Sequence, residues 1–415
     1  MNPLPDDTGF DDTFALLGDP YRYILSRTRE LGTNGFRTRF IGQKAVCLTG
    51  AEAARLVYDP TRFTREGAIP AIARDVLFGN GGVQTLNGPA HTHRKAMFLR
   101  IMGPETDLGA VEDLFAEEWR KAAADLRGEV DLLEVAKPVL TRVACRWADV
   151  PLQQDETGDM ADMLSDLFLH AGPAPMGQIK GRTSRHKVEK AMQSMVEDVR
   201  SGKLAADPDR ALSIIAHWKD RDGDPLPADI AAVEVVNVLR PTVAISVYLV
   251  FLAHALGRYG TAAARVPEDA AWRHAFVQEV RRTYPFFPAT AAIAKQDIDW
   301  QGARIDEGTR VLLDIYGTNR DAAHWDDPDS FSPARFLGWT GDPFTLIPQG
   351  GGEHAVTHRC PGEWVTIRLM DRFAAILTRD LDWQPTSPHV EPDYAALPAL
   401  PKDGFRITVK QGNAA

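Results

Sequence analysis

Pro348-Gln349-Gly350-Gly351-Gly352-Glu353-His354, then His358-Arg359-Cys360-Pro361-Gly362-Glu363 and an amphipathic stretch to Arg379, form the segment that decides the fold. Three successive glycines carry no Cβ, so the backbone at Gly350 can approach something flat and bulky. Cys360 falls just before an expected helix start, where unpaired N–H groups and the helix dipole favour a thiolate. His358 and Arg359 add positive charge suited to the anionic groups of a cofactor. A plainer alternative is a buried cysteine ahead of a helix, with the glycines serving only as a turn. Thiolate chemistry accounts for the charge and the helix start together.

The other two cysteines lack such surroundings. Cys47 lies in a strand-like run and Cys145 in a helical one, where a small buried hydrophobe is the ordinary reading. Three widely spaced cysteines make neither a disulfide framework nor a zinc site.

Hydrophobic residues make up 44% of the 415 and charged residues 25%, enough for a substantial core. A net charge of −10 gives no footprint for a polyanion, which excludes nucleic acid as a partner. The start, Met1-Asn2-Pro3-Leu4-Pro5-Asp6-Asp7, lacks the basic and apolar regions of a secretory signal. The most apolar run, Thr242 to Ala253, is shorter than the ~20 residues of a bilayer span. The expectation is a cytoplasmic protein with no integral membrane segment. No linker or repeat divides the chain, so one domain over 1–415 is expected.

Periodicity supplies the elements. Phe36, Thr38 and Phe40 alternate with Arg37 and Arg39 before a Gly42-Gln43 turn, which predicts a hairpin. Helical spacing dominates from about residue 108. Leu114, Ala122 and Leu126 share one face, as do Val188, Met192, Met195 and Val199. A long helix is predicted from near Pro227 to about Gly257, with short strands at Val311 to Ile315 and Phe405 to Val409. The fold class is mainly α with a minor β subdomain.

Glu279 and Arg282 stand at i and i+3, which alone reads as a surface ion pair of little weight. Pro333-Ala334-Arg335-Phe336 and then the cysteine loop follow them. In this order and spacing the set resembles the C-terminal half of the cytochromes P450. The resemblance implies the cytochrome P450 fold and haem b, with its iron bound by Cys360. It also implies a buried network of Glu279, Arg282 and Arg335 that braces the haem side. Arg65 and Lys95 match positions that contact the haem propionates; a solvated basic face is the alternative.

The long helix departs from the oxygen-activating pattern. Such enzymes place a glycine and then an acid–Thr pair where this chain has Val238-Leu239-Arg240-Pro241-Thr242-Val243-Ala244. A proline inside a helix costs ~3 kcal/mol, and an arginine among apolar neighbours is costly unless paired. Arg240 could face solvent with Pro241 as a tolerated kink. The flanking Val236, Val238, Leu239, Val243 and Ala244 favour an arginine aimed into a cavity, where its planar fork suits a carboxylate.

With this departure the chain resembles the bacterial fatty-acid peroxygenases along nearly its whole length. Arg62-Phe63-Thr64-Arg65-Glu66-Gly67-Ala68, His91-Thr92-His93-Arg94-Lys95 and Tyr284-Pro285-Phe286-Phe287-Pro288 share in the match, as does the lengthened loop between Gly350 and Cys360. The resemblance implies hydrogen peroxide as oxidant, with no redox partner required. A long-chain fatty acid would lie with its carboxylate on Arg240, and Arg240-Pro241 would replace the acid–Thr pair. The carboxylate would then serve as general acid–base, and hydroxylation would fall near it, alpha favoured and beta possible. Gln84 matches a position over the haem that is glutamine in hydroxylating members and histidine in the alkene-forming one. Phe78, Phe287 and Ala244 are candidates for the alkyl channel, although such residues are ordinarily core. The competing readings are a decarboxylase forming terminal alkenes and a conventional monooxygenase using a redox partner.

Overall fold

Arg240 and its apolar neighbours occupy the middle of a 31-residue helix, Ala228–Arg258, in the computed structural model, which describes residues 4–410 except 8, 10 and 173. Pro227 stands one place ahead of the first turn, as its fixed φ and missing N–H suit. The helix runs on through Pro241, where the usual N–H to the carbonyl of Asn237 is missing. From Ala231 to Leu256 every residue but Pro241 is buried. Helices Leu132–Ala148, Thr157–Leu169, Pro175–Arg200 and Glu363–Arg379 pack around it. A helix apolar on all sides is a core helix. The apolar run had been read as too short for a bilayer. The helix around it is long enough, and 94% of its most apolar stretch is buried within protein.

The flanking helices follow their apolar stripes with one change of phase. Val188, Met192 and Val199 are buried as spaced, and Val196 joins them while Met195 lies half-buried. In Gly109–Asp125 the buried face is Val111, Phe115 and Trp119. The expected stripe of Leu114, Ala122 and Leu126 lies half-buried on its flank.

The β component is small. The hairpin Gly35–Phe40 and Gln43–Leu48 turns on Ile41 and Gly42, both with positive φ, one residue earlier than expected. Gln43–Leu48 then pairs parallel with Arg310–Asp314, which continues antiparallel to Ala289–Ala294 and on to Phe63–Thr64. Gly128–Asp131, Arg406–Val409 and Trp383–Pro385 form a second sheet. Cys47 and Cys145 are buried in strand and helix, and burial pushes both thiols up, Cys145 to about 12.

Asp314 ends its strand and caps the short helix Ile315–Thr318 by accepting from the Gly317 N–H at 2.7 Å. Burial pushes its carboxyl up to about 7, against the N–H of Gly317 and the charge of Arg320. A raised carboxyl binds its proton more tightly in the folded chain. Asp314 therefore costs stability increasingly as pH rises from the unfolded value near 4 towards 7. Asp314→Asn, which keeps the capping oxygen, is expected to raise the melting temperature at pH 8 and to lose that gain towards pH 4. Equal shifts at both pH values would contradict this account.

Candidate active site

The cysteine loop is shaped by its own two limbs. The Cys360 N–H donates to the Gln349 carbonyl at 2.9 Å. Gly350, at φ 96°, lies so close to the other limb that a Cβ would sit 3.0 Å from the Arg359 Cα and 3.1 Å from the Tyr58 hydroxyl. A Cβ on Gly352, at φ 83°, would meet Thr357 at 2.6 Å. Close packing within the loop thus gives Gly350 and Gly352 a reason of their own, which the sequence reading did not foresee.

Cys360 is deeply enclosed by protein yet keeps part of its surface open, so it lines an internal space. Burial pushes its thiol up; the Gly362 N–H and then the Lys95 charge pull the other way. The helix start alone does not prevail, whereas a bound metal cation deprotonates a thiol outright.

Glu363, the first residue of the cysteine helix Glu363–Arg379, gathers the loop's charges. Arg359 Nε donates to it at 2.6 Å, His354 Nε2 lies at 2.9 Å, and Arg281 donates to its other oxygen. Burial would raise this carboxyl, but Arg281, His354 and Arg359 hold it well below the usual carboxylate range. Arg359, expected to face the cofactor, is therefore turned back onto Glu363 and the Gly352 carbonyl.

Glu279, Arg282 and Arg335 meet in a buried network. Arg282 donates twice to the Glu279 carboxylate, both at 2.8 Å, and Arg335 Nε donates at 3.2 Å. The Ser332 N–H adds a fourth bond at 2.7 Å, while Arg282 also holds the carbonyls of Asn319, Pro328 and Ser330. An arginine on each strand of the chain and one carboxylate between them fix the segment before the cysteine loop.

Lys95 is buried on helix Gly88–Met102, its ammonium on the carbonyls of Thr357 and Arg359. Burial lowers it to about 8, opposed by Cys360. Arg65 donates to Thr290 Oγ1 at 2.9 Å and the Ala291 carbonyl at 2.6 Å, over the Tyr58 ring. Burial disfavours its charge too. These are not residues of a solvated face. The His91 and His358 rings stack at 4.0 Å, both kept neutral first by burial.

Arg240 is buried at 6% exposure, and its Nε has no partner. No ion pair reaches it from the described residues, and the Phe78 ring lies 5.9 Å from the guanidinium. Burial, then the Arg185 charge, lowers it to about 9, while Cys360 raises it. Ala244 follows one turn later on the same face, buried. Gln84 sits on the single turn Val83–Thr85, its Oε1 accepting from Asn237 Nδ2 at 3.2 Å. Phe287 is 38% exposed and packs edge-on against Phe286.

Arg65, Lys95 and Arg240 are three cations without a carboxylate partner among the described residues, and Lys95 and Arg240 act on the Cys360 thiol. This donor set fits an anionic tetrapyrrole held through sulfur, together with an anionic ligand on Arg240. The sequence reading passed over Glu234, Asn237, Arg281 and Glu363 as site residues. A buried acid and amide at i and i+3 in an apolar helix was the available signal for the first two.

The cytochrome P450 family pattern matches residues 273–408. Among curated proteins, cytochrome P450 71D181 of Origanum vulgare is 34% identical over 121 residues, 28% of this chain and 24% of that protein. The matched stretch thus spans about a quarter of such relatives. Solved structures match far more completely. P450SP alpha (CYP152B1) in complex with (R)-ibuprophen is 45% identical, covering 97% of this chain and 99% of that one, with a TM-score of 0.94. P450EX alpha (CYP152N1) with myristic acid is 37% identical over 99% and 100%, at 0.95. A variant of P450 OleT in complex with arachidonic acid is 32% identical over the whole of both chains, at 0.95. Alike in fold and sequence from end to end, the chain belongs to the cytochrome P450 superfamily of cysteine-ligated haem enzymes and, within it, to the CYP152 group of fatty-acid peroxygenases.

Proposed function

We propose that the protein hydroxylates long-chain fatty acids beside the carboxylate, at the expense of hydrogen peroxide, with Cys360 as iron ligand and Arg240 as substrate anchor. The observation that carries the reading is Arg240, a buried guanidinium in the core helix whose Nε has no partner among the described residues. Such a group costs stability, and breaches of this kind concentrate where function needs them. The myristic and arachidonic acids bound by two similar proteins support a long-chain acid as its counter-ion.

Arg65 and Lys95 would meet the haem propionates, with the neutral His91 and His358 rings beside them. When bound, the haem would activate the peroxide, one of whose oxygens enters the C–H bond while the other leaves as water. The chain itself provides no free proton carrier beside Arg240 among the side chains on its own helix. Pro241 has none to offer, the Thr242 hydroxyl donates to the Val238 carbonyl at 2.9 Å, and Glu234 is held by Arg94 and Asn237. The substrate carboxylate, paired with Arg240, takes a proton from one peroxide oxygen and returns it to the other. With the head group fixed, the alpha carbon is presented first and the beta carbon next. Gln84, in place of histidine, favours the hydroxy acid over a terminal alkene.

The test is haem-loaded protein with peroxide and a panel of saturated fatty acids, read by mass spectrometry. The alpha-hydroxy acid is expected as main product without NADH or a reductase. Product formed only with dioxygen, NADH and a reductase would overturn the peroxide reading. An alkene one carbon shorter as main product would move the chain to the decarboxylases. Cys360→Ala is expected to lose the thiolate-type absorption of the ferrous carbon monoxide complex while the far-ultraviolet dichroism stays unchanged. Retention of that absorption would remove Cys360 as ligand.

A further inference from the structure

Behind Gln84 runs a chain of polar groups that starts near the molecular surface. Asp220 accepts from Arg94 Nη2 at 3.3 Å, and Arg94 Nη1 donates to Glu234 Oε1 at 2.9 Å. The two hydrogens of Asn237 Nδ2 are shared among three acceptors, Glu234 Oε2 at 3.1 Å, Gln84 Oε1 at 3.2 Å and the Phe78 carbonyl at 3.1 Å. The backbone N–H of Val83, next to Gln84, donates to Glu234 as well. Arg94, Glu234 and Asn237 are all buried.

A buried ion pair is weak evidence for stability, since apolar residues of similar size often serve as well. What apolar residues cannot do is impose a direction on neighbouring hydrogen bonds. Burial raises the Glu234 carboxyl, but its pairing with Arg94 at 2.9 Å holds the charge, and an ionised carboxylate only accepts, so Glu234 requires the NH2 end of Asn237. That same NH2 end faces Gln84, which must answer with its oxygen, and Asn237 Oδ1 is left without a partner. The remaining end of the Gln84 amide is its own NH2 group.

We infer that Glu234 is a positioning residue: through Asn237 and the Val83 N–H it holds Gln84 with its NH2 group presented to the pocket. The charge of one buried acid thereby decides that a donor, and not an acceptor, faces the oxidant and the substrate head group. This rests on the placement of Gln84 in the pocket made under the proposed function. Neutralising Glu234 frees Asn237 to turn over, and Gln84 then samples both orientations.

The experiment uses haem-loaded protein carrying Glu234→Gln or Asn237→Leu, each made with Gln84 intact and with Gln84→Leu. Two quantities are read: the carbon–oxygen stretch of the ferrous carbon monoxide complex, which senses a nearby donor, and the ratio of alpha to beta product. With Gln84 intact, both variants are expected to shift the stretch and to change the ratio about fivefold, the size of one hydrogen bond. With Gln84→Leu in place, neither variant should add a further change. Equal shifts in both backgrounds, or no shift in a variant with full haem content, would overturn the inference. Asn237→Leu removes no charge and keeps the test available if Glu234→Gln lowers haem content. Failure of the proposed function shows differently, as absent fatty-acid turnover in the unaltered protein, while the carbon monoxide stretch remains readable.

Discussion

Arg240→Ala is expected to lower kcat/KM for fatty acids by at least about a hundredfold while leaving haem content intact and the fold no less stable. The loss follows from two charge-assisted hydrogen bonds to one carboxylate, each worth roughly 1.5–3 kcal/mol, and from a head group no longer held in place. The second half of the expectation is less usual. Removing a large buried side chain normally costs stability through the cavity left behind. Here the side chain also carries an uncompensated charge, and its removal relieves that burden. Steady-state kinetics and a thermal melt on the same sample check both halves. Activity within tenfold of the unaltered protein would remove the carboxylate anchor. A marked fall in melting temperature would mean that Arg240 has a partner in solution. Arg240→Lys keeps the charge and loses the fork, so an intermediate rate is expected.

Glu279→Ala should have the largest effect on stability, about 3–5 kcal/mol, the range for breaking a buried ion pair. The carboxylate receives Arg282, Arg335 and the Ser332 N–H, so its removal leaves two arginine charges with carbonyl partners only and one backbone donor without its acceptor. Against a usual total of about 5–15 kcal/mol, that is a large share of the protein's margin. Urea titration of the loaded protein, read by haem absorbance and by dichroism, measures it. A loss below about 1 kcal/mol would reduce the network to the weight of a surface pair. Glu279→Gln keeps one acceptor and lies between.

Sequence reading reached these residues because their signals are local or are violations. Glu279 and Arg282 share one helical turn, and Arg240 stands out as a charge among valines. The cysteine helix Glu363–Arg379 has the bounds its amphipathic run predicted. What stayed hidden depends on distance along the chain. Arg94 and Glu234 are 140 residues apart, and neither has a neighbour in sequence that announces the other. The face of Gly109–Asp125 was misjudged for a related reason. Glu118 looks like a surface residue but is buried, held by Lys121, Arg142 and Arg146 from one side and by the core from the other. Charge on that helix therefore does not mark its wet side. The glycines of the cysteine loop were singled out for a flat ligand, while the close contacts of Gly350 with Arg359 and of Gly352 with Thr357, inside the loop, were not foreseen.

Arg281 and Arg282 are adjacent on helix Ala270–Thr283 and reach in different directions. Arg282 ties down the segment of Glu279 and Ser330, while Arg281 clasps Gln349 and Glu363 at the two ends of the cysteine loop. The two limbs of the loop are thus clamped from one point, so the loop's shape is tied to helix Ala270–Thr283 and a disturbance of that helix reaches both ends of the loop at once.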